Sequence, residues 1–159
     1  MVSGHDIAMG LRAAYWAMHR RTEASFSERA VTADQFVLLA LLAERDGITQ
    51  QELVRRASSD ANTIRAMLVL LEKRGLVTRE RHPTDRRARS VTLTRKGIQI
   101  YEKLWGRSEP LRGQMLALFA PEEAETLVVS LARIAEAMTR TKWSGRSPRS
   151  RTSAHVGGG

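Results

Sequence analysis

The sequence predicts a mainly α-helical chain with one small β-hairpin. The expected fold is a winged helix-turn-helix, with a helical dimerisation region formed by the N- and C-terminal helices. Three observations predict it. Apolar residues recur at helical spacing along most of residues 6–141. In "RERHPTDRRARSVTLT", residues 79–94, the period switches to two on either side of a "PTD" turn. Between these patterns lie Thr-x-x-Gln and Thr-x-x-Glu capping signals followed by a short "ASSD" turn, the spacing of a helix-turn-helix.

The first helix is expected over residues 6–29, with Ile7, Leu11, Ala14, Tyr15, Met18 and Phe26 on its apolar side. Thr32 and Gln35 open a second helix, which Gly47 ends in a left-handed cap. Thr49 and Glu52 open a short third helix. A fourth begins at Ser59 or Asp60 and stops at Gly75. The hairpin follows, with strands "LVTRERH" and "RSVTLT". Thr94 caps a fifth helix, which Gly106 and Pro110 bend or break. Pro121, with acids behind it, starts a last helix that runs to about Thr141. The expected domain is therefore 1–141, with 6–29 and 95–141 for dimerisation and 32–94 as the winged helix-turn-helix. Residues 142–159, "KWSGRSPRSRTSAHVGGG", have no period and read as a mobile basic tail.

Charge is distributed unevenly. The chain carries a formal net charge of +9, with thirteen Lys and Arg against six Asp and Glu in residues 50–103 alone. Residues 1–49 and 104–140 are each close to neutral. A localised basic block is the electrostatic footprint of a nucleic-acid binder, here double-stranded DNA. The absence of cysteine excludes disulfides and thiolate metal sites. The four histidines are scattered, without metal-ligand spacing, and no phosphate loop or nucleophile arrangement is present. No enzyme, cofactor or metal is therefore expected. No membrane-span-length apolar run or signal-peptide core occurs, so a cytoplasmic location is expected. The competing class is a helical module that binds proteins, or packages nucleic acid, without an effector. Neither role requires the hairpin pattern.

That pattern carries a resemblance. Asp85, Arg87, Leu93 and Thr94, followed by "RKG", match the wing signature of the MarR transcription regulators. "QQELVRRASSDANTIRAMLVLLEKRGLVTR" is similar to the family's helix-turn-helix, including its closing Leu-Glu-x-x-Gly-Leu-Val. The resemblance spans roughly Ile7 to Thr141. It implies a homodimer docked on a palindromic operator. It also implies a response to small phenolic or aromatic acids. The chain departs from the family at Ala66, where many members carry Arg. Here Arg65 stands one position earlier, about 100° around the helix, so base preference does not carry over.

Each expected role has its own chemistry. Ala61, Asn62, Thr63 and Arg65 occupy the first two turns of the reading helix, where Asn can pair adenine and Arg guanine. Ile64, Leu68 and Leu71 form its inward stripe. Gln50 and Gln51 start the preceding helix, where backbone N–H groups meet phosphate. Arg86, Arg87 and Arg89 sit on the wing, positioned for a narrow minor groove. Asp85 repels phosphate, so its expected job is to hold Arg87 or the wing backbone. Arg12, Tyr15, Trp16 and His19 share one region of the first helix, and Met67 and Leu70 belong to a five-residue apolar run. These six residues serve either as packing for the dimer or as a pocket for an aromatic acid effector.

Overall fold

The computed structural model describes residues 1–26, 31–85 and 87–140; Arg86 and the 142–159 tail lie outside the described residues. The elements are α1 (Gly4–Phe26), α2 (Ala33–Glu44), β1 (Ile48–Thr49), α3 (Gln50–Arg56), α4 (Ala61–Lys73), β2 (Val77–Arg81), β3 (Arg89–Leu93), α5 (Arg95–Arg107), α6 (Glu109–Leu116) and α7 (Pro121–Arg140). They fall into two compact units, Met1–Met115 and Leu116–Gly159. The division falls at the end of α6, well before the 141/142 boundary read from the sequence.

Helix starts follow their caps. Thr32 and Gln35 form the complete reciprocal box, with Gln35 N–H donating to Thr32 Oγ1 (3.2 Å) and Thr32 N–H to Gln35 Oε1 (3.2 Å). Thr49 Oγ1 accepts from Glu52 N–H at 3.1 Å. The return arm of that box does not form, because the Glu52 carboxylate is taken by Arg55. That hydrogen bond and charge hold the Glu52 carboxyl below its usual range. α1 starts two residues earlier than expected, on a Ser3–Asp6 clasp. The break after α5 falls at Ser108, its C-cap, and Pro110 sits in the first turn of α6, where its missing N–H costs nothing.

The sheet has three antiparallel strands in the order β1-β3-β2, one more than the expected hairpin. β1 is only two residues long and shows no periodicity of its own. It pairs Ile48 with Val91 and Thr49 with Ser90. Ile48, Val77 and Val91 then join Leu38, Leu39 and Leu42 of α2, Leu53 of α3 and Ile64, Leu68 and Leu71 of α4 in one buried core. Gly47 and Gly75 both have φ near 68°, the left-handed geometry expected of them.

A second joint links the reading helix to α5. Thr94 Oγ1 accepts Gly97 N–H (3.0 Å) and donates to Gly75 O (2.6 Å), while Lys96 Nζ donates to Arg74 O (2.9 Å). A Cβ on Gly97 would lie 2.0 Å from Leu76 O. The "LTRKG" stretch therefore has a structural purpose: it lets α5 start hard against the turn that ends α4.

Candidate nucleic-acid interface

Asp60, not Ser59, caps α4. Its Oδ1 accepts the N–H groups of Asn62 (3.0 Å) and Thr63 (2.9 Å), and its Oδ2 accepts the Thr63 hydroxyl (2.5 Å). These bonds, with the Thr63 hydroxyl foremost, hold the Asp60 carboxyl below its usual range. Thr63 is thus committed to the cap, while Ala61, Asn62 and Arg65 stand exposed on the first two turns. Behind them, Ile64, Leu68 and Leu71 are fully buried. The helix therefore turns small, polar and basic groups outward while its apolar stripe fixes it to the core. Gln50 and Gln51 form the start of α3, the first half-buried and the second exposed.

The wing is β2–β3. Its tip is closed by Asp85, whose Oδ1 accepts Arg87 N–H at 2.9 Å and whose carbonyl accepts Ala88 N–H at 3.1 Å. The carboxylate thus holds the wing backbone in an Asx-turn through the Arg87 N–H. Arg87 and Arg89 are exposed.

Register brings together residues that the sequence reading did not select. Arg79 pairs with Val91 and Arg81 with Arg89, so Val77, Arg79, Arg81 and Arg89 share one face of the hairpin. Like charges directly opposite each other cost stability. The Arg81 side chain makes no hydrogen bond or ion pair among the described residues, which suits a group kept for an external anion. Arg79 differs: its Nε–H (2.9 Å) and an Nη–H both donate to Glu72 of α4. The cue for Arg81 was available as strand alternation, but it required the register, which depends on the turn.

A cleft of about 250 Å³ lies elsewhere in the first unit, bordered by α1, α2, α5 and α6. Tyr15, His19, Phe36, Val37, Trp105 and Arg112 are among its lining residues. His19 Nε2 approaches Asp34 Oδ1 at 3.5 Å. Burial, with Asp34 nearby, raises the Tyr15 phenol. The Arg112 guanidinium stacks 3.6 Å above the Trp105 ring and donates to Trp105 O and Glu109. Of the six expected effector residues, Tyr15 and His19 line this cleft; Arg12, Trp16, Met67 and Leu70 do not. Successive helical residues point about 100° apart, so Trp16 leaves the wall that Tyr15 enters. Met67 packs against the winged-helix core and Leu70 is exposed. The guanidinium at the cleft comes from α6, not α1. Among the described residues, no three His, Cys, Asp or Glu are grouped as metal ligands would be, and no helix is long and apolar enough to cross a membrane.

Comparison with known proteins agrees with this geometry. The MarR family model matches residues 31–88, which run from α2 through β2 to the wing tip. The transcriptional regulator HosA of Escherichia coli O111:H- is 34% identical over 103 residues, covering 65% of this chain and 76% of HosA. The chain belongs to the MarR family. It is a DNA-binding transcriptional regulator of the winged helix-turn-helix type. Among solved structures, S. aureus MepR in its DNA-binding conformation superposes with a TM-score of 0.77 at 20% identity, over 83% of this chain and 98% of MepR. NadR in complex with 4-hydroxyphenylacetate superposes with a TM-score of 0.75 at 26% identity, over 85% of this chain and 96% of NadR.

Proposed function

We propose that this MarR-family protein is a homodimeric repressor that binds an inverted-repeat operator and is released by a small aromatic acid. The observation that carries the DNA reading is the Asp60-capped start of α4. It exposes Asn62 and Arg65 beside a wing bearing Arg81, Arg87 and Arg89. Asn62 and Arg65 read base edges in the major groove, and the wing arginines enter the flanking minor groove. In a dimer the two reading helices lie about 34–36 Å apart, which sets half-site centres about 10 base pairs apart.

The release reading rests on the cleft. Aromatic walls and one guanidinium match an aromatic carboxylate, the chemical class of the 4-hydroxyphenylacetate bound to NadR. Arg112 and His19 replace Arg12 as the groups that meet the acid. A ligand releases DNA only if it favours a helix spacing that misses the operator; a tenfold loss of affinity needs about 1.4 kcal/mol of differential binding.

Selection of bound duplexes from a random pool, with and without a panel of aromatic acids, tests both parts. The expected result is an inverted repeat that an aromatic acid weakens, with Arg112→Ala blunting the ligand effect but not DNA binding. Arg65→Ala should cost roughly 1–3 kcal/mol at one base position per half-site. A single unrepeated site, or equal loss from Arg65→Ala on cognate and scrambled duplexes, contradicts the DNA reading. Calorimetry showing that no acid binds contradicts the effector reading alone.

A further inference from the structure

The hairpin is attached to the reading helix twice. The first attachment is its base, where Leu76 N–H reaches Leu71 O (2.9 Å) and Thr94 N–H reaches Leu76 O (3.0 Å). β1 pairs with Val91 and Ser90 and so ties β3 to the start of α3, whereas β2 is the edge strand and has only its base and its own side chains to hold it to α4. The second attachment is Arg79, two residues beyond Val77 and therefore about 7 Å further out along the strand. Its side chain is only 16% exposed, and two of its N–H groups converge on Glu72 Oε2, in the last turn of α4. The Arg79 guanidinium holds the Glu72 carboxyl below its ordinary range, with the charge of Arg89 adding to the effect. Glu72 is also the carboxylate set against a face that carries Arg79, Arg81 and Arg89 together.

We infer that Glu72 and Arg79 are positioning residues that brace the wing at a fixed pitch to the reading helix, so that helix and wing engage one half-site as a unit. Neither residue reads a base in this account. Their work is to stop the wing from swinging away and to hold the Arg81–Arg89 pair in place. The inference rests on the DNA-binding reading above.

The sign of one substitution separates bracing from simple charge. Glu72→Gln removes a negative group close to a DNA-facing surface, so charge alone predicts tighter binding. The brace predicts binding roughly tenfold weaker, with a salt slope shallower by about 1 for each phosphate that the wing no longer neutralises. Arg79→Lys keeps the charge and removes the planar fork, so charge alone predicts no change and the brace again predicts weakening.

The decisive measurement is footprinting of the full-length protein on its selected operator, with dimethyl sulfate reading guanine N7 in the major groove, hydroxyl radical reading the sugars along the minor groove, and thermal melting of each variant alongside. The expected result is that both variants melt near the parent and keep the major-groove contacts of α4. They lose the minor-groove protection given by the wing. Unchanged or tighter binding with an intact wing footprint, in either variant, overturns the brace. A parent protein that protects the major groove but no minor groove overturns the brace together with the DNA-facing wing. A parent that protects no duplex overturns the DNA-binding reading itself and is distinguished by that.

Discussion

α4 and α7 are both amphipathic helices, yet they stand in opposite situations. α4 has thirteen residues and buries Ile64, Leu68 and Leu71 completely within its own chain. α7 has twenty residues and buries none. Leu131 is 40% exposed and Met138 71%. α1 resembles α7 in this respect, with Phe26 its one buried residue. The winged helix-turn-helix closes its core within a single chain. The flanking helices leave large apolar side chains exposed, among them Leu127, Val128, Leu131 and Met138, and contiguous exposed apolar surface is the usual mark of an interface. On the proposed function, DNA contact falls to the region with the closed core, and pairing with a second copy falls to the flanking helices.

The comparison breaks most visibly at Leu131. Obligate dimers bury on the order of 2,000 Å² or more, and their protomers seldom persist alone. Leu131→Asp should give unfolded or aggregated protein by sedimentation and circular dichroism. A well-folded monomer would show that α7 needs no partner copy.

Core truncation comes next. Leu68→Ala should cost about 2–5 kcal/mol in chemical denaturation, independent of protein concentration. Val128→Ala, at a site 67% exposed, sharpens the contrast. An uncovered face predicts a change within about 0.5 kcal/mol, whereas a face covered in a dimer predicts a larger loss that varies with concentration.

Gly97 tests the joint between α4 and α5. Because an added Cβ would sit 2.0 Å from Leu76 O, the backbone must shift. Gly97→Ala should cost about 1–3 kcal/mol of stability and weaken operator binding. A neutral result would mean that α5 can step back freely.

The smallest effect is expected at Ser58, in the turn between α3 and α4, where φ is 49°. That conformation strains any residue with a Cβ. Ser58→Gly should raise the unfolding free energy from chemical denaturation by about 0.5–1 kcal/mol once the extra freedom of the unfolded chain is subtracted. A fall in stability would mean that the serine side chain holds the turn.

Much of this fold was legible in advance because its signals are local. Thr32, Thr49 and Thr94 each accept the N–H group three residues on, and the Ile64–Leu68–Leu71 stripe is periodic over two turns. β1 was not legible, since a two-residue strand exists only because β3 lies beside it. The cleft was read only in part. Tyr15 and His19 were found from their neighbourhood on one helix, but Arg112, ninety-three residues beyond His19, reaches the same cleft only because of how the helices pack. Arg81 was passed over for a related reason: adjacency to Arg89 is a property of strand register.

By itself, the sequence determined the capped helix starts, the turn glycines, the inward stripe and the concentration of positive charge. Caps, periodicity and composition act over a few residues and need no distant partner. Only the tertiary structure decided which residues from separate elements meet: Glu72 with Arg79, Arg81 with Arg89, Thr94 and Lys96 with the end of α4, and Arg112 with Tyr15 and His19 at one cleft. Those meetings depend on strand register and helix packing. Both are set by burial of the whole core, which no short window of sequence contains.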